Sequence, residues 1–541
     1  MPKAPLPPGV SAQDFANALR DLKAVVGADW LFTSEQDLEL YRDPYSHVWG
    51  TPEERLASAA LSPTTVEQVQ QIVRIANKYK TPLFPVSAGR NLAYGAAAPV
   101  MSGSIVLDLK RMNRVLAVDD KRHFALVEPG VTYFDLYRHI QERKLKVWVD
   151  VANPGWGSLV GNALDHGIGH TYSPYRDHFG SHCGMEVVLP NGELMRTGMG
   201  AMPNAETWQD MKYGQGAGVE GLFAQSGFGI VTKMGFWLAP EPESVLMARI
   251  QVPRYGDLQA LIEEFDVIEN SGLSGPPGFS SPLATPGPDL TALMADGWPS
   301  LPQIEAYHAK RGGPAWTLSA RFYGPEETVR GTWAYAKRRI GAAIGGATFE
   351  ETGFYRSPYS LDSIKKENAS FFGLPNLDTF YALRRRPDDK PEEQLDGHID
   401  FWATVPRTAA GLHAGHRMVY ETQRQVGMPV TATPFGGPVI FFARSFMVGF
   451  SIVTYRTRPD KNRKAMEYYT ALIRNAGAAG FGMYRANISS QDLSAEQYSF
   501  NNHSLQRFRE LLKDAADPNG IISPGRYGLW PARLRQSRGK A

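Results

Sequence analysis

The sequence has almost no cysteine and no long apolar run. Its single cysteine, Cys183, excludes an intrachain disulfide. No segment approaches the roughly 18 consecutive apolar residues of a membrane-spanning helix. Residues 1–9 lack the apolar stretch that is typical of a secretory signal. We therefore expect a cytoplasmic protein that is not inserted in a membrane.

The sequence also lacks an excess of charge of either sign. Its 57 Lys and Arg residues stand against 55 Asp and Glu residues, so the formal net charge is +2. This balance gives no reason to expect nucleic acid or an acidic membrane surface as a partner. We expect no metal site, because Cys183 and the adjacent His182 would point to opposite faces of a strand. At 541 residues the chain is long enough for two or more domains.

A Gly- and Ala-rich loop between two strand-like runs is the most informative feature that is present. The loop is Ser87–Pro99, and the runs are Thr81–Val86 and Ser104–Leu109. Such a loop brings several backbone N–H groups close to a phosphate without side chains in the way. Arg90 adds a positive charge. The segment predicts a phosphate-binding loop.

Two further segments have the same character. Asp150–Ala163 is small and Gly-rich, and it leads into His178–Leu194, which reads as a β-hairpin closed on Pro190–Gly192. Gly227–Lys233 supplies a third close backbone approach before another strand. Together the three segments indicate that a large phosphate-bearing cofactor binds in the first half of the chain.

These motifs resemble those of the para-cresol methylhydroxylase and vanillyl-alcohol oxidase superfamily of FAD enzymes. The resemblance is closest to the branch of vanillyl-alcohol oxidase, eugenol oxidase and 4-cresol dehydrogenase. It extends to Asp517–Pro531, which has the closing pattern of that branch, and it is strong over residues 40–240 and 480–531. It implies FAD as the cofactor.

The resemblance also implies an α+β fold of two domains. The FAD-binding domain would be discontinuous, with the Gly-rich phosphate loop in its first part, residues 1–242, and a return at residues 481–541. A cap domain over residues 243–480 would carry an antiparallel sheet covered by helices.

A loose internal repeat in the middle of the chain predicts the cap independently of any family. Four times a strand-like run meets a polar turn and then a helix, and the helices begin near Tyr255, Pro325, Thr408 and Pro459. This regularity predicts one sheet with helices packed on a single face. The predicted strands are Val245–Val252, Ala315–Tyr323, His398–Val405 and Val448–Tyr455.

Local signals also predict two helices in the first domain. Thr64–Glu67 reads as a capping box in front of an amphipathic helix over Val66–Lys80. Thr132 is expected to cap a second helix that runs to Ile140. Short helices mixed with strands are expected of an α+β domain.

The resemblance implies which residues contact FAD. Arg526 would place charge near the flavin ring or the phosphates, and the other contacts come from the three Gly-rich segments. The expected cofactor-binding residues are Pro85, Ser87, Ala88, Gly89, Arg90, Asn91, Leu92, Pro154, Gly157, Ser158, Gly161, Asn162, Gly184, Gly229, Ile230 and Arg526.

A covalent link to the flavin is common in the family, through a His or Tyr of the third cap strand. The Phe401–Val405 pattern places Ile399 at that position, and His398 would face away from the side of Ile399. We therefore expect non-covalent FAD. A histidyl link through His398 is the alternative if the strand is bulged, and His47 resembles the histidine that assists flavin attachment in relatives.

The family binds its substrate as a phenolate, and the motif positions for this are filled. Tyr94, Tyr484 and Arg485 supply two hydroxyl donors and one permanent cation, which favour the anion of a phenol whose pKa is otherwise about 10. Asn153 stands where the oxidases of the family carry an aspartate beside flavin N5. An uncharged residue there should raise the flavin potential and weaken a general-base role.

The predicted function is oxidation of para-substituted phenols, such as 4-alkylphenols, allylphenols or hydroxybenzylic phenols. Hydride transfer from the side-chain α-carbon to flavin N5 would give a quinone methide. The electron acceptor is molecular oxygen or a cytochrome, and we expect a homodimer or a higher homo-oligomer. Two alternatives stay open: a cytochrome-coupled dehydrogenase of the same fold, and a flavin oxidoreductase of a non-phenolic alcohol or hydroxy acid.

Overall fold

The computed structural model of the protein describes residues 4–272, 274–281, 283, 288–377, 397–429, 439–441, 444–456 and 458–538. The strands are β1 Leu31–Phe32, β2 Ala59–Leu61, β3 Leu83–Val86, β4 Ile105–Asp108, β5 Val115–Asp119, β6 Phe124–Val127, β7 Val147–Trp148, β8 His182–Val188, β9 Leu194–Arg196, β10 Ile230–Trp237, β11 Ala239–Pro240, β12 Ser244–Val252, β13 Gly278–Ser280, β14 Trp316–Gly324, β15 Thr348–Arg356, β16 Gly397–Pro406, β17 Val439–Phe441 and β18 Ser445–Thr454. The helices are α1 Ala12–Val26, α2 Glu35–Leu38, α3 Val66–Tyr79, α4 Tyr133–Glu142, α5 Leu159–Leu164, α6 Leu258–Glu269, α7 Pro288–Leu293, α8 Leu301–Arg311, α9 Glu326–Ala343, α10 Ala409–Val426, α11 Pro459–Ala478, α12 Gln491–Glu496, α13 Phe500–Ala516 and α14 Ala532–Arg538.

The phosphate-loop candidate follows the edge strand of the first sheet. This sheet has the order β1-β2-β4-β3, and β4 pairs parallel with both of its neighbours. Helix α3 covers it with the predicted apolar face. The cap of α3 is Thr65, which accepts from the backbone N of Gln68, so the predicted cap at Thr64 is one residue too early. The loop after β3 is therefore attached to a sheet whose one face is covered by helix α3.

The second sheet is antiparallel and has the order β5-β6-β10-β8-β9. The predicted hairpin is confirmed, since β8 pairs with β9 and the N of Gly192 donates to the carbonyl of Leu189. Gly192 has a φ of 85°, which a glycine adopts without strain. The predicted helix cap at Thr132 is also confirmed, and Asp135 completes its capping box.

The cap contains the four predicted strand–helix units, but its strands form two ladders rather than one. Within the described residues one sheet has the order β13-β14-β12-β15 and the other has β16-β18-β17. The sheets meet where the rings of Phe279 and Phe446 lie 5.7 Å apart. Helices α6, α9, α10 and α11 share one continuous core with both sheets, so the prediction of helices on a single face is confirmed.

The C-terminal segment returns to the first sheet. The carbonyl of Ile521 accepts from the N of Leu83 in β3 (2.7 Å), and the N of Ser523 donates to the carbonyl of Leu83 (2.8 Å). Before this return, the N of Tyr484 donates to the carbonyl of Trp402 in the cap strand β16 (3.1 Å). The chain therefore carries residues 484 and 485 along the cap before it rejoins the flavin domain.

Two negative findings apply to the described part of the chain. None of its helices is long and apolar enough to cross a membrane. Its histidine, cysteine and acidic side chains form no group of three or more that could hold a metal ion.

Candidate active site

A large cleft opens between the first sheet, helix α5 and the C-terminal return. The space between its walls, with the part open to solvent included, is about 1030 Å³. Most of the predicted cofactor residues line it: Pro85, Ser87, Ala88, Gly89, Arg90, Asn91, Gly157, Ser158, Gly161, Asn162, Gly229, Ile230 and Arg526.

Three predicted cofactor residues lie outside the wall of this cleft. Leu92 and Pro154 are not among its lining residues. Gly184 is also absent from the wall, and a Cβ added to it would lie 2.3 Å from Nε1 of Trp208. The close approach that the sequence indicated at Gly184 is made by the indole of Trp208 on this side, and the contact of Gly184 with the cofactor stays a prediction.

The loop after β3 offers unused backbone donors to the cleft. The N–H groups of Ala88, Gly89, Arg90 and Asn91 donate to no acceptor among the described residues. A Cβ at Gly161 would lie 2.1 Å from Oγ of Ser87, so only a glycine lets helix α5 approach the loop this closely. Consecutive free N–H groups in a glycine-rich bend form an anion-binding concavity. The loop fits the pyrophosphate of a dinucleotide.

A buried carboxylate that the sequence analysis did not single out organises the inner end of the cleft. Oδ1 of Asp165 accepts from Arg526 (3.0 Å) and from the hydroxyl of Tyr527 (2.9 Å). Oδ2 accepts from Nδ2 of Asn91 (2.9 Å) and lies 3.6 Å from Nε of Arg485. Although burial opposes ionisation, Arg485 and Arg526 lower the pKa of Asp165. Both cations at this end of the cleft are thus held by one anion.

The three residues predicted to bind a phenolate lie together. The guanidinium carbon of Arg485 is 5.3 Å from the ring centroid of Tyr94 and 5.0 Å from that of Tyr484. The backbone brings them together, since the N of Ile488 donates to the carbonyl of Tyr94 (3.3 Å). Arg485 also lines the large cleft. This cation therefore faces the cleft on one side and the two tyrosines on the other.

Burial and the neighbouring groups together fix the protonation states of Tyr94, Tyr484 and Arg485. It raises the pKa of Tyr484 to about 12 and that of Tyr94 well above its ordinary value. Burial alone would lower the pKa of Arg485, but Tyr484 and Asp165 raise it above its ordinary value. At neutral pH the site therefore presents two hydroxyl donors and one cation.

A second carboxylate that the sequence did not single out as a site residue, Asp400, contacts the trio. Its Oδ2 accepts from the hydroxyl of Tyr94 at 3.4 Å, and its Oδ1 accepts from Oγ of Ser451 at 2.6 Å. Asp400 lies in β16, where the alternate residues Ile399, Phe401, Ala403 and Val405 are buried in the core of the cap. This pattern of alternation was visible in the sequence.

The register of β16 puts Ile399 and His398 on opposite faces of the strand, as the sequence predicts. Ile399 belongs to the helix-covered core, so its side chain points away from the flavin domain. His398 lies on the opposite face, with its ring 5.0 Å from that of Tyr45 and its Nε2 3.7 Å from Oδ1 of Asp400. His47, the predicted helper, is buried, and burial lowers its pKa to about 4. Neither histidine lines the large cleft.

Asn153 lies where the two domains meet. Its Nδ2 donates to Oγ of Ser370 in the cap (3.0 Å) and lies 3.4 Å from Nε2 of His170. Burial, and then the nearby Arg176, lower the pKa of His170 to about 4, so this ring is neutral at neutral pH. Asn153 is not part of the wall of the large cleft, and its approach to the flavin stays a prediction.

Comparison with known proteins gives strong matches over nearly the whole chain. The family model of the FAD binding domain matches residues 57–198. The chain is 32% identical to the flavoprotein subunit of 4-cresol dehydrogenase [hydroxylating] from Pseudomonas putida, over 97% of this chain and 98% of the relative. It is 30% identical to the 1'-carboxy-chondrochloren decarboxylase of Chondromyces crocatus, over 87% and 91% of the two chains.

Solved structures agree with these matches. The 4-ethylphenol oxidase from Gulosibacter chungangensis, in complex with isoeugenol, superposes with a TM-score of 0.79 at 32% identity, over 98% of this chain and all of the other. A substrate-bound p-cresol methylhydroxylase also superposes with a TM-score of 0.79, at 30% identity over 97% and 99% of the two chains. The predicted two-domain α+β fold and the FAD cofactor are thereby confirmed.

Proposed function

The chain belongs to the vanillyl-alcohol oxidase and p-cresol methylhydroxylase family of FAD enzymes, and from this premise we propose that it oxidises para-substituted phenols at the α-carbon of the side chain. The observation that carries the proposal is the position of Arg485 between the cofactor cleft and the rings of Tyr94 and Tyr484. A phenol bound there would have its oxygen at the cation and its ring near the flavin.

The trio supports binding of the phenolate form. A free phenol has a pKa of about 10, and one close cation or hydrogen-bond donor lowers such a pKa by about 1–3 units. Because Tyr94 and Tyr484 keep their protons at neutral pH, the hydroxyl of Tyr484 donates to the substrate oxygen, and that of Tyr94 donates to it once Tyr94 has passed its own proton to Asp400 and taken up the phenol proton. Electron density pushed from the phenolate oxygen into the ring then weakens the α C–H bond.

Asp400 supplies a place for the phenol proton. Its Oδ2 lies 3.4 Å from the hydroxyl of Tyr94, which is within the range that tightens on substrate binding. The phenol proton moves to the oxygen of Tyr94 as Tyr94 passes its own proton to Oδ2 of Asp400. Ser451 keeps the carboxylate in place through its bond to Oδ1.

The oxidation itself removes two electrons and one hydrogen from the substrate. FAD, when bound by the loop over residues 87–91 and by Arg526, supplies the two-electron acceptor for the hydrogen at the α-carbon. The phenolate that loses this hydrogen with its electron pair becomes a neutral quinone methide. Water adds to its α-carbon to give an alcohol, or a β-proton leaves to give a vinylphenol, and in both cases the ring oxygen regains a proton.

The residues at the domain junction would surround the reacting carbon. Asn153 presents an uncharged amide there, and His170 beside it is neutral. A neutral imidazole can accept a proton from an incoming water, which suits addition to a quinone methide. The lack of a carboxylate at position 153 should raise the flavin potential.

The experiment is anaerobic bleaching of the flavin by matched compounds. We expect 4-ethylphenol to bleach it rapidly and 4-ethylanisole, which cannot ionise, to fail. Bleaching by the anisole at a similar rate, or by a hydroxy acid in place of any phenol, would exclude the phenolate mechanism. Oxygen uptake compared with reduction of a cytochrome then identifies the acceptor. The homo-oligomeric state and the cytoplasmic location remain predictions.

A further inference from the structure

Two buried arginines at the domain interface form no ion pair with any carboxylate that the structure describes. Arg176 is 7% exposed and Arg321 is 6% exposed, and Nε of each lacks a hydrogen-bond acceptor. Within the described residues no carboxylate oxygen lies within 4.0 Å of either guanidinium. Among the described acceptors Arg321 donates only to the carbonyl of Pro276, and its guanidinium stacks on Phe371 at 3.9 Å.

Other buried basic side chains of this fold are paired. Arg407, which is 8% exposed, lies 2.7 Å from Glu269 and 3.2 Å from Asp266. Lys513 lies 2.7 Å from Asp517. Breaking a buried ion pair leaves an unpaired charge that strongly destabilises the fold. Asp150 and Glu269 act on Arg176 from a distance, and Glu269 acts on Arg321, but neither guanidinium forms a direct ion pair among the described residues, which needs a separate explanation.

The two arginines lie on the substrate side of the flavin domain. The ring of Phe371, on which Arg321 stacks, is 6.4 Å from the ring of His170. His170 in turn contacts Asn153, and the carbonyl of Arg176 accepts from the N of Gly169 (3.0 Å). Neither arginine lines the cofactor cleft. The phosphates of FAD therefore lie elsewhere and leave these charges unpaired.

Both groups remain charged at neutral pH. Burial lowers the pKa of Arg176 to about 10, although the carboxylate of Asp150 opposes this shift, and the value is still well above 7. A guanidinium binds a carboxylate through parallel hydrogen bonds in a fixed fork, and such a pair is favoured where water is excluded. Since no carboxylate of the described residues takes this place, it is open to an anion that arrives with the ligand.

We propose that the substrate is a para-hydroxyphenyl compound whose side chain ends in a carboxylate, and that Arg176 and Arg321 bind this carboxylate. The inference rests on the proposed function for the phenol end of the substrate. The simplest test compound is 3-(4-hydroxyphenyl)propanoate. Its oxidation removes the α-hydrogen with two electrons and one β-proton, which leaves the corresponding propenoate.

The test compares this acid with its primary amide and with 4-propylphenol. We expect the kcat/KM of the wild-type holoenzyme to be about 100-fold higher for the acid than for the amide, because a buried guanidinium gains a charge-assisted partner. Arg321→Met and Arg176→Met should each lower the ratio of acid to amide at least tenfold. A ratio near one in the wild-type enzyme would overturn the proposal.

Two further measurements separate the possible failures. Oxidation of 4-propylphenol without a preference for the acid would refute the carboxylate site and leave the proposed function standing. If no phenol is oxidised, the proposed function fails. The arginine site is then tested by binding alone. The Kd of 4-hydroxycinnamate and the Kd of its amide are each measured from the change in the flavin absorption spectrum, and the two are compared. Equal dissociation constants would refute the site.

Thermal unfolding of the substrate-free holoenzyme provides a control that needs no ligand. Arg321→Met removes an uncompensated charge, so its Tm should equal or exceed that of the wild type. Arg407→Met is the matched control, because it leaves the buried Glu269 without its partner and should lower the Tm. A fall in Tm for Arg321→Met as large as that for Arg407→Met would mean that the protein itself neutralises Arg321, which also overturns the proposal.

Discussion

Nε of Arg485 lies 3.6 Å from Oδ2 of Asp165, and both side chains are buried. The same guanidinium stands within 5.3 Å of the ring centroids of Tyr94 and Tyr484. Asp165 therefore fixes, from the side of the cofactor cleft, the cation that we propose as the phenolate-binding group. If that proposal holds, one ion pair couples the placement of the flavin to the placement of the phenolate.

Replacing Arg485 by Ala should abolish most of the activity on a para-alkylphenol. A buried anion without its cation costs about 3–5 kcal/mol, so kcat/KM should fall by two to three orders of magnitude when normalised to bound FAD. Arg485→Lys keeps the charge but loses the planar fork, so its activity should lie between that of the wild type and that of Arg485→Ala. Steady-state kinetics with 4-ethylphenol measure this, and near-normal activity of Arg485→Ala would remove the phenolate site.

Asp165→Asn should lower stability in a pH-dependent manner. The folded-state pKa of Asp165 is lowered, so its ionisation stabilises the fold above the unfolded pKa of about 3.9. This stabilisation is lost as the pH falls towards the folded pKa. The difference between wild type and variant in free energy of unfolding should be large at pH 7 and small near pH 3.

Urea unfolding at pH 3, 5 and 7 measures this difference. Asp21→Asn is the matched control, because the pKa of Asp21 is also lowered, to about 2, but its partner Lys78 is exposed. Exposed pairs contribute little, so that variant should show a small difference at every pH. A pH-independent loss in Asp165→Asn would mean that its charge plays no part.

The sequence allowed the cofactor cleft to be predicted in most of its parts, because the loop that binds phosphate is one continuous segment. Its backbone donors depend on a bend at glycine, and the sequence of Ser87–Asn91 is enough to predict that bend. The phenolate trio joins Tyr94 to a dipeptide far along the chain. Only the resemblance to a family connected these positions, since local patterns carry no information on such a long-range contact.

The misses have equally specific causes. Asp165 belongs to no motif, and its role depends on two arginines that meet only in the folded chain. Ile399 was placed beside the flavin by matching letters around Phe401, although the alternation of β16 puts both residues in the core. Gly184 was assigned to the cofactor because glycine signals a close approach; the structure shows Trp208 beside it, and its contact with the cofactor stays a prediction. Which partner approaches a glycine is a tertiary property.

Asp400→Asn should change the pH dependence of the reaction. Without the carboxylate, the phenol proton has no acceptor behind Tyr94, so kcat/KM should fall at pH 7. It should recover as the pH approaches the phenol pKa of about 10. Profiles of kcat/KM from pH 6 to 10 measure this. Ser451→Ala, which keeps the carboxylate and removes its bond, should leave the profile nearly parallel to wild type. A parallel profile for Asp400→Asn would exclude the proton relay.

Acid precipitation of the holoenzyme should release yellow flavin into the supernatant. No residue of β16 lines the described wall of the cofactor cleft, and the ring of His398 packs against that of Tyr45 at 5.0 Å. If the colour stays with the pellet, the link is covalent. His398→Ala then decides its site, because only a histidyl link at this position would be lost in that variant.

Asn153→Asp should lower the reduction potential of the flavin. The substitution puts a negative charge where the amide now donates to Ser370 and lies 3.4 Å from His170, and negative charge near the ring favours the oxidised form. An interaction of about 1.4 kcal/mol corresponds to about 30 mV for a two-electron couple.

Dye equilibration measures the potential, and anaerobic stopped-flow with 4-ethylphenol measures the reduction rate. Ser370→Ala is the uncharged control, which breaks the same hydrogen bond and should leave the potential nearly unchanged. If Asn153→Asp changes neither the potential nor the rate, the residue lies outside the reacting site. A negative charge within a few ångströms of the flavin, in a junction without water, must shift the reduction potential of the flavin.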